Sequence, residues 1–467
     1  MNRRGESIPR EKGEISLDKL FEPKTVALVG SSKLADRVGM MNPRVFDSVY
    51  HNLMKFFRGK TMKFDIGEDV SQFRKGSVKA DLAVITLSAK LAIRVLEVCG
   101  KNGVKAAIVI PGGFKDFERS ELIETASRNG IRVLGPNAIM GVVNTGNGLN
   151  TTFEKDLMPK RGGISVLSQS GGVGAALIDW AIFYGEGISK FIWLGDKADV
   201  SEVELLDYLG QDEDTKVITM YLESVKDGRR FLKTVRQVTE RKPIVVLKGG
   251  VSEEAKARAL SHTAAISAGS DMIFRVGAKQ NGAIVVDSME KLFIAGEVLE
   301  KQPPMKGNQV LIVSNVGGPA VLAADAVQQY GLRLAKLSEE TGRRIEAKYP
   351  GVESINPLDI IADARADRYE DILENSMAED QVSGVMVINM LKSCLTLPED
   401  VKVIAEVASR HPDKPIVDCI PGGDDYEKIR ETLSDTTVPV FNTPDKAVFA
   451  LKILSEYGEY LSRIRKK

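Results

Sequence analysis

The sequence predicts an α/β protein made of three doubly wound domains, each built on a parallel sheet. Short β-branched runs alternate with helix-like stretches along the 467 residues. This alternation is typical of parallel βαβ units whose helices cover both faces of the sheet. A length near 467 residues also allows about three domains at roughly 150 residues each. We predict domains at residues 1–155, 156–302 and 303–467.

Four apolar runs define the first predicted sheet. They are VALVG at 26–30, DLAVITL at 81–87, AAIVIPGG at 106–113 and IRVLGPN at 131–137. Helix-like segments such as AKLAIRVLEVCGKNG separate them. Each run is short enough for a buried strand, and three of the four end in a glycine- or proline-containing turn, which favours a doubly wound sheet.

The same alternation restarts twice. GGISVLSQSGG at 162–172 begins the second unit, and QVLIVSNVGG at 309–318 begins the third. Polar stretches at 153–161 and 300–308 precede these starts, and the second contains paired prolines. Because proline interrupts both helices and strand ladders, we interpret these stretches as linkers.

Composition narrows the class of protein. Hydrophobic residues make up 43% of the chain, charged residues make up 27%, and 64 basic residues balance 64 acidic ones. This balance gives no overall attraction to nucleic acid or to an anionic membrane. The three cysteines are far apart, and no apolar run approaches the ~20 residues that span a bilayer. We expect a cytoplasmic protein without a metal site, a nucleic-acid partner or a membrane association.

A glycine turn follows the first strand. Gly30, Ser31 and Ser32 stand there, where glycine permits close backbone approach and a helix N-terminus favours a phosphate. The dinucleotide pattern GxGxxG is absent, and Asp65 comes too late to be the ribose-binding acid expected about 20 residues on. The pattern therefore disfavours a nicotinamide cofactor, and a plain tight turn remains the alternative.

Two further turns, SQSGG at 168–172 and SNVGG at 314–318, share one plan. Each follows an apolar strand and precedes an alanine-rich helical run. Such turns direct amide groups toward the carboxyl edge of a sheet, where these folds bind ligands. Two of them in separate domains would be able to share one anion. Ordinary glycine turn chemistry is the alternative.

Among three histidines, His262 has the most unusual surroundings. It lies in the small-residue segment ARALSHTAAISAGSD, whereas His51 lies on a helix-like stretch and His411 in a helix-exit turn before a proline. A neutral imidazole is a nucleophile and can carry a phosphoryl group. Glu223 ends the strand KVITMYLE and is placed to accept a proton from one imidazole nitrogen. A loop histidine without a role and a solvated strand-end glutamate are the alternatives.

Several segments together resemble the NDP-forming acyl-CoA synthetases, relatives of succinyl-CoA synthetase, over about residues 15–460. They include LFEPKTVALVGSS, IPGGF, GPNAIMGVVN, SQSGGVGAALIDWA, SHT and NVGGPAVLAADA. The resemblance implies a Rossmann-like CoA-binding domain followed by two flavodoxin-like CoA-ligase domains. It also implies that His262 is the phosphohistidine and that Glu223 positions it.

The resemblance assigns two further sets of residues by position. The phosphoryl group would be held by Ser170, Gly171, Gly172, Asn315, Gly317 and Gly318. Coenzyme A would be bound, or its pocket shaped, by Gly30, Ser31, Ser32, Pro111, Gly112, Gly113, Pro136 and Asn137.

The implied activity is that of the α subunit of an acetate–CoA ligase (ADP-forming). The reaction is acyl-CoA + ADP + phosphate ⇌ carboxylic acid + CoA + ATP, through an acyl phosphate and phosphohistidine. ADP or ATP with Mg²⁺ would bind a separate ATP-grasp β subunit in an α2β2 assembly. A succinyl-CoA synthetase-like α subunit and a CoA- or acyl-CoA-binding regulatory protein without catalysis are the alternatives.

The chain departs from the family pattern in two places. TMKFDIGED replaces the usual VNP-like strand end of the CoA domain, and SHTAAISAGSD carries alanine for glycine with one extra residue. The first departure concerns the adenine or phosphate end of the coenzyme site, and the second concerns the histidine loop.

Overall fold

A computed structural model describes residues 16–33, 43–66, 70, 73, 76, 78–252, 254–255, 271–392 and 394–466. Within these residues the chain forms three sheets with helices packed around them, and their strands are mainly parallel. The predicted fold class is confirmed. No described helix is both long and apolar enough to cross a bilayer.

The first sheet has five parallel strands in the order β2-β1-β3-β4-β5. The strands are Thr25–Gly30 (β1), Lys60–Asp65 (β2), Leu82–Ile85 (β3), Ala106–Val109 (β4) and Arg132–Leu134 (β5). The helices are Asp18–Phe21 (α1), Pro43–Phe56 (α2), Ala89–Lys101 (α3) and Asp116–Asn129 (α4). The strand order reverses between β1 and β3, so the carboxyl ends of these strands border the crevice where such sheets bind ligands.

The second sheet has seven strands in the order β12-β11-β10-β8-β9-β6-β7. The strands are Val142–Asn144 (β6), Leu149–Asn150 (β7), Arg161–Ser168 (β8), Ile188–Trp193 (β9), Val217–Leu222 (β10), Ile244–Lys248 (β11) and Ile284–Val286 (β12). The helices are Gly171–Tyr184 (α5), Glu202–Gln211 (α6), Gly228–Thr239 (α7), Asp271–Gln280 (α8) and Met289–Lys301 (α9).

The third sheet has the order β14-β13-β16-β17-β18, with β15 paired to β13. The strands are Gln309–Ser314 (β13), Arg333–Leu334 (β14), Leu358–Asp359 (β15), Gly384–Ile388 (β16), Ile416–Cys419 (β17) and Val440–Phe441 (β18). The helices are Gly317–Gln329 (α10), Glu339–Lys348 (α11), Ala366–Met377 (α12), Lys402–Arg410 (α13), Asp424–Thr432 (α14) and Pro444–Arg465 (α15).

Central strands in all three sheets are buried along their whole length. β3, β11 and β16 have no exposed residue. Helices on both faces exclude water from such strands, which explains why they read as continuous apolar runs. Polar side chains therefore concentrate where strands end, and the predicted site residues that the structure describes lie near those ends.

Two strands of the first predicted domain belong to the second sheet. β6 and β7 lie before the predicted boundary at residue 155, yet β6 pairs antiparallel with β9, with Val143 opposite Phe191. An ion pair of 2.6 Å between Arg132 and Glu204 joins the first sheet to the second domain. The segment 142–150 therefore lies in the second sheet, and side-chain contact links the two domains.

Helix α15 of the third domain packs against the second domain. The Tyr457 hydroxyl donates to the Thr239 carbonyl oxygen at 3.1 Å, and the hydroxyls of Tyr460 and Thr239 are 3.0 Å apart. The ring of Tyr460 fills the space where a Cβ on Gly282 would lie. These contacts fix the C-terminal helix to two sheets at once.

Three buried charged side chains and the partly buried Lys301 form an interdomain charge cluster between the second and third domains. Arg430 on α14 lies 2.8 Å from Glu186 and 3.3 Å from Glu297, and Lys301 lies 2.9 Å from Glu186. Two cations thus balance two carboxylates away from water. Buried charges persist only when they are paired in this way.

Candidate active site

The glycine turn of the second domain presents the N-terminus of α5. Ser170 caps the helix by accepting a hydrogen bond from the Val173 amide at 3.5 Å. A Cβ on Gly171 would lie 2.1 Å from the Trp193 ring, whereas a Cβ on Gly172 would meet no atom within 4 Å. Gly171 therefore permits close packing, and Gly172 leaves open space before the helix dipole, which suits an anion.

Glu223 lies beside this turn. It follows β10 and is 7% exposed. The side-chain oxygen of Gln169 accepts hydrogen bonds from the amides of Glu223 at 2.9 Å and Ser224 at 3.1 Å. The Tyr221 hydroxyl donates to Glu223 at 3.3 Å, and burial, reinforced by the Glu223 charge, raises the pKa of Tyr221 to about 12. Gln169 therefore ties the predicted orienting carboxylate to the residue next to Ser170.

Two buried lysines complete these surroundings, and the sequence analysis missed both. Lys197 donates to the Ser224 carbonyl oxygen at 2.8 Å and lies 3.1 Å from Glu202, and Lys248 donates to the Glu223 carbonyl oxygen at 2.7 Å. Burial lowers the pKa of each lysine. Their positive charges sit where an anion would approach. The position of Lys248 at the end of β11 was the available signal, but lysine usually marks a surface position.

The glycine turn of the third domain begins α10. Asn315 is 1% exposed. Its side-chain amide donates to the Met390 carbonyl oxygen at 2.9 Å and to the Thr396 hydroxyl at 3.0 Å. The Asn315 side chain therefore holds the turn in place, while Gly317 and Gly318 are exposed. A cleft of about 830 Å³ borders Gly317 at the carboxyl edge of this sheet. The hydrogen bonds of each glycine turn are made within its own domain.

His262 lies outside the described residues, so its predicted role is carried forward as a proposal. The next described residue after 255 is Asp271, the first residue of α8. The Asp271 charge favours the charged form of Lys248, although burial lowers the pKa of that lysine. Helix α8 thus begins at the sheet edge that holds Glu223.

The turn after β1 is tightly packed. A Cβ on Gly30 would lie 2.2 Å from Phe46 and from Thr86, so the backbone needs glycine there. Ser31 is buried, and its hydroxyl accepts a hydrogen bond from the Lys33 amide at 3.2 Å. These residues shape the turn at the carboxyl end of the first sheet.

Ser32 contacts a residue that the sequence analysis set aside. Its amide and hydroxyl donate to the two carboxylate oxygens of Asp65, at 2.9 Å and 2.5 Å. Asp65 ends β2 and stands opposite Gly30 in the parallel register. Asp65 is therefore close to the glycine turn in space although it is distant from that turn in the sequence. The separation in sequence is long because α2 lies between β1 and β2, so its exclusion on sequence distance was wrong.

The remaining predicted coenzyme residues meet at the ends of β4 and β5. The loop 111–113 follows β4, and the Asn137 amide donates to the Pro111 carbonyl oxygen at 2.8 Å. The Asn137 side chain donates to Asp196 at 3.1 Å, and the Asp196 amide donates to the Pro136 carbonyl oxygen at 2.9 Å. These loops therefore lie against the second domain. No group of three or more His, Cys, Asp or Glu side chains suited to a metal ion occurs in the described part of the chain.

Three parts of the chain match known domain families. Residues 24–144 match a CoA binding domain, residues 161–299 a succinyl-CoA ligase like flavodoxin domain, and residues 310–457 a ligase-CoA domain. The α subunit of the ADP-forming acetate–CoA ligase I of Pyrococcus furiosus is 33% identical, over 97% of this chain and 100% of that protein. The chain belongs to the ADP-forming acyl-CoA synthetase family.

Other ADP-forming acyl-CoA synthetases agree with this membership. The ADP-forming acetate–CoA ligase I of Archaeoglobus fulgidus is 35% identical over 97% of this chain, and the chain spans 65% of that longer protein. The structure of acetyl-coenzyme A synthetase 1 from Ca. Korarchaeum cryptofilum, in complex with phosphate and ADP, superposes with a TM-score of 0.87. That protein is 30% identical in sequence, and the superposition covers 97% of this chain and 99% of that chain. The resemblance found in the sequence is confirmed.

Proposed function

We propose that this chain is the α subunit of an ADP-forming acyl-CoA synthetase of the acetate–CoA ligase type. It would catalyse acyl-CoA + ADP + phosphate ⇌ carboxylic acid + CoA + ATP. The observation that carries this proposal is the placement of buried Glu223 beside the glycine turn 169–172. A carboxylate next to an anion-binding helix end suits a histidine that gains and loses a phosphoryl group.

The proposed chemistry has three balanced steps. A phosphate oxygen attacks the thioester carbon, the carbon–sulfur bond breaks, and CoA leaves as the thiolate. A neutral imidazole nitrogen of His262 then attacks the phosphorus of the acyl phosphate, and the carboxylate leaves. Finally, a β-phosphate oxygen of ADP attacks the phosphorus, the nitrogen–phosphorus bond breaks, and ATP forms. Each step involves a charged nucleophile or leaving group, so positioning and electrostatic stabilisation supply most of the acceleration.

Glu223 would fix the tautomer of His262 and stabilise the positive charge on the phosphorylated ring. The amides at the N-termini of α5 and α10 would hold the phosphoryl oxygens, with Ser170, Gly171 and Gly172 on one side and Asn315, Gly317 and Gly318 on the other. The buried ammonium groups of Lys197 and Lys248 add positive potential at the same sheet edge.

The nucleotide would bind a second polypeptide. The three domains of this chain match CoA-binding and ligase domains, and the longer A. fulgidus relative extends beyond the matched part. We therefore assign ADP or ATP with Mg²⁺ to an ATP-grasp β subunit in an α2β2 assembly. His262 would carry the phosphoryl group to that subunit.

Phosphorylation of His262 is the direct test. The complex with its β subunit, incubated with [γ-³²P]ATP, should yield acid-labile, base-stable label on His262, and His262→Ala should abolish both label and turnover. His411→Ala is the matched control, since His411 pairs with Glu374 at 2.7 Å on α12 of the third domain. Near wild-type ATP formation by His262→Ala would refute the assignment.

Glu223→Gln tests the orienting carboxylate. An amide cannot stabilise the imidazolium as a carboxylate does, so single-turnover phosphorylation should slow by about 10²–10⁴-fold. Glu339→Gln, which changes an exposed glutamate on α11, is the control and should leave the rate unchanged. An unchanged rate in Glu223→Gln would remove Glu223 from the site.

The need for a partner is tested by reconstitution. The purified chain should bind CoA without forming ATP, and addition of the β subunit should restore turnover and co-elution in gel filtration. ATP formation by this chain alone would contradict the split-subunit proposal. CoA binding without any turnover in the presence of the partner would favour a regulatory CoA-binding protein instead.

A further inference from the structure

The crevice of the first sheet contains a carboxylate in the place of a nucleotide-binding acid. Asp65 ends β2, the strand next to β1, and stands opposite Gly30 of the glycine turn. In doubly wound nucleotide-binding folds, an acid in this region accepts hydrogen bonds from the ribose hydroxyls of the bound nucleotide. The structure thus places an acceptor for sugar hydroxyls beside the glycine turn of the part of the chain that matches a CoA binding domain.

The carboxylate also uses donors that a phosphate would need. The amide and hydroxyl of Ser32 both donate to Asp65, at 2.9 Å and 2.5 Å. Although burial opposes ionisation, these bonds and the charges of Lys63 and Lys33 hold the pKa of Asp65 below its ordinary value. Asp65 is therefore an anion at neutral pH and is already seated at the end of the turn.

The Lys63 side chain contacts groups on α2. The Lys63 ammonium lies 4.3 Å from the centre of the Tyr50 ring, 4.7 Å from that of Phe46, and 3.4 Å from Asp47 on α2. Its charge is thus shared with an aromatic pair and a carboxylate on the helix. A phosphate approaching Asp65 would meet like charge, and like charges a few ångströms apart repel.

We propose that Asp65 makes the coenzyme site of this chain select an unmodified adenosine ribose, so that 3′-dephospho-CoA binds at least as tightly as CoA. The carboxylate accepts hydrogen bonds from the free ribose hydroxyls and repels the 3′-phosphate. This inference rests on the proposed function, which assigns the first domain to the coenzyme.

Calorimetric titration of the full chain with CoA and with 3′-dephospho-CoA tests the selection. The wild-type Kd for dephospho-CoA should be equal to or lower than that for CoA. Asp65→Asn removes the repelling charge, so it should lower the Kd for CoA by about tenfold. It should not lower the Kd for dephospho-CoA. Asp65→Ala also removes the hydrogen-bond acceptor, so it should raise the Kd for dephospho-CoA. It should also remove the discrimination against CoA.

Asp47→Asn is the matched control. It removes one negative charge from the same domain, but Asp47 lies on α2, where it pairs with Lys63 of β2. General electrostatics would change the affinity for CoA equally in Asp47→Asn and Asp65→Asn, and that result would overturn the inference. A wild-type preference of tenfold or more for CoA, unchanged in Asp65→Asn, would also overturn it.

The failure of this inference is distinguishable from failure of the proposed function. A clear preference for CoA, with His262 still phosphorylated in the complex, refutes only the role of Asp65. Binding of neither coenzyme to a folded chain, verified by circular dichroism, refutes both the role of Asp65 and the assignment of the first domain.

Discussion

Arg430→Met should destabilise the protein more than any exposed arginine substitution. Arg430 is 7% exposed, lies 2.8 Å from Glu186 and 3.3 Å from Glu297, and stacks on Tyr184 with 4.4 Å to the ring centre. Its removal leaves two buried carboxylates facing only Lys301. Breaking a buried ion pair in this way costs about 3–5 kcal/mol of unfolding free energy.

The magnitude is measurable by calorimetry. A loss of that size lowers the Tm of a domain of 150–250 residues by roughly 6–20 °C, at about 2–4 °C per kcal/mol. Arg410→Met is the control, because Arg410 is solvent-accessible and pairs at the surface with Glu374 and, at 2.8 Å, with Glu370. Exposed ion pairs contribute about 0–1 kcal/mol, so this variant should lower the Tm by only ~2–4 °C at most.

A second substitution separates charge from packing. Glu297→Gln combined with Arg430→Met leaves Glu186 and Lys301 as a balanced pair at 2.9 Å. The double variant should therefore regain part of the lost Tm, and the coupling energy should be well above the ~0.5 kcal/mol of independent sites. An Arg430→Met variant no less stable than Arg410→Met, or a double variant with additive losses, would refute the reasoning.

Further predictions concern a buried acid and the first phosphate turn. Burial raises the pKa of Asp418 from 3.8 to about 7, so its contribution to stability is complete below about pH 4 and is lost as pH rises through about 7. Asp418→Asn, which can still accept from Asn389, should remove a decline of about 4 kcal/mol in the free energy of urea unfolding between about pH 4 and about pH 8; an unchanged pH profile would contradict it. Gly171→Ala should destabilise the protein by about 1–3 kcal/mol, because its methyl group would strike Trp193, whereas Gly172→Ala should not; equal Tm values for the two variants would contradict the turn geometry.

The sequence predicts the central strands well because their environment is uniform. VALVG at 26–30 and KPIVVLKGG correspond to β1 and β11, which are buried along nearly their whole length. The edge strand β2 is harder to recognise, since its residues alternate between exposed and half-buried positions. Local sequence therefore reports the sheet interior better than its edges.

Long-range partners explain what the sequence could not supply. The role of Gln169 depends on amides more than 50 residues away in Glu223 and Ser224. Lys197 gives no apolar pattern, and its burial follows from pairing with Glu202 across a loop. Asp65 was misjudged by counting residues, whereas strand register decides which side chains share an edge.

The contacts between the first two domains limit how the molecule can move. The amides of Ala198 and Val200 donate to the carbonyl oxygens of Gly135 and Val133, each at 3.2 Å, so a hinge between these domains would have to break backbone hydrogen bonds. The crevice of the first sheet and the turn at Gly172 are therefore held to each other. Crosslinking the first domain to the second should therefore leave turnover intact.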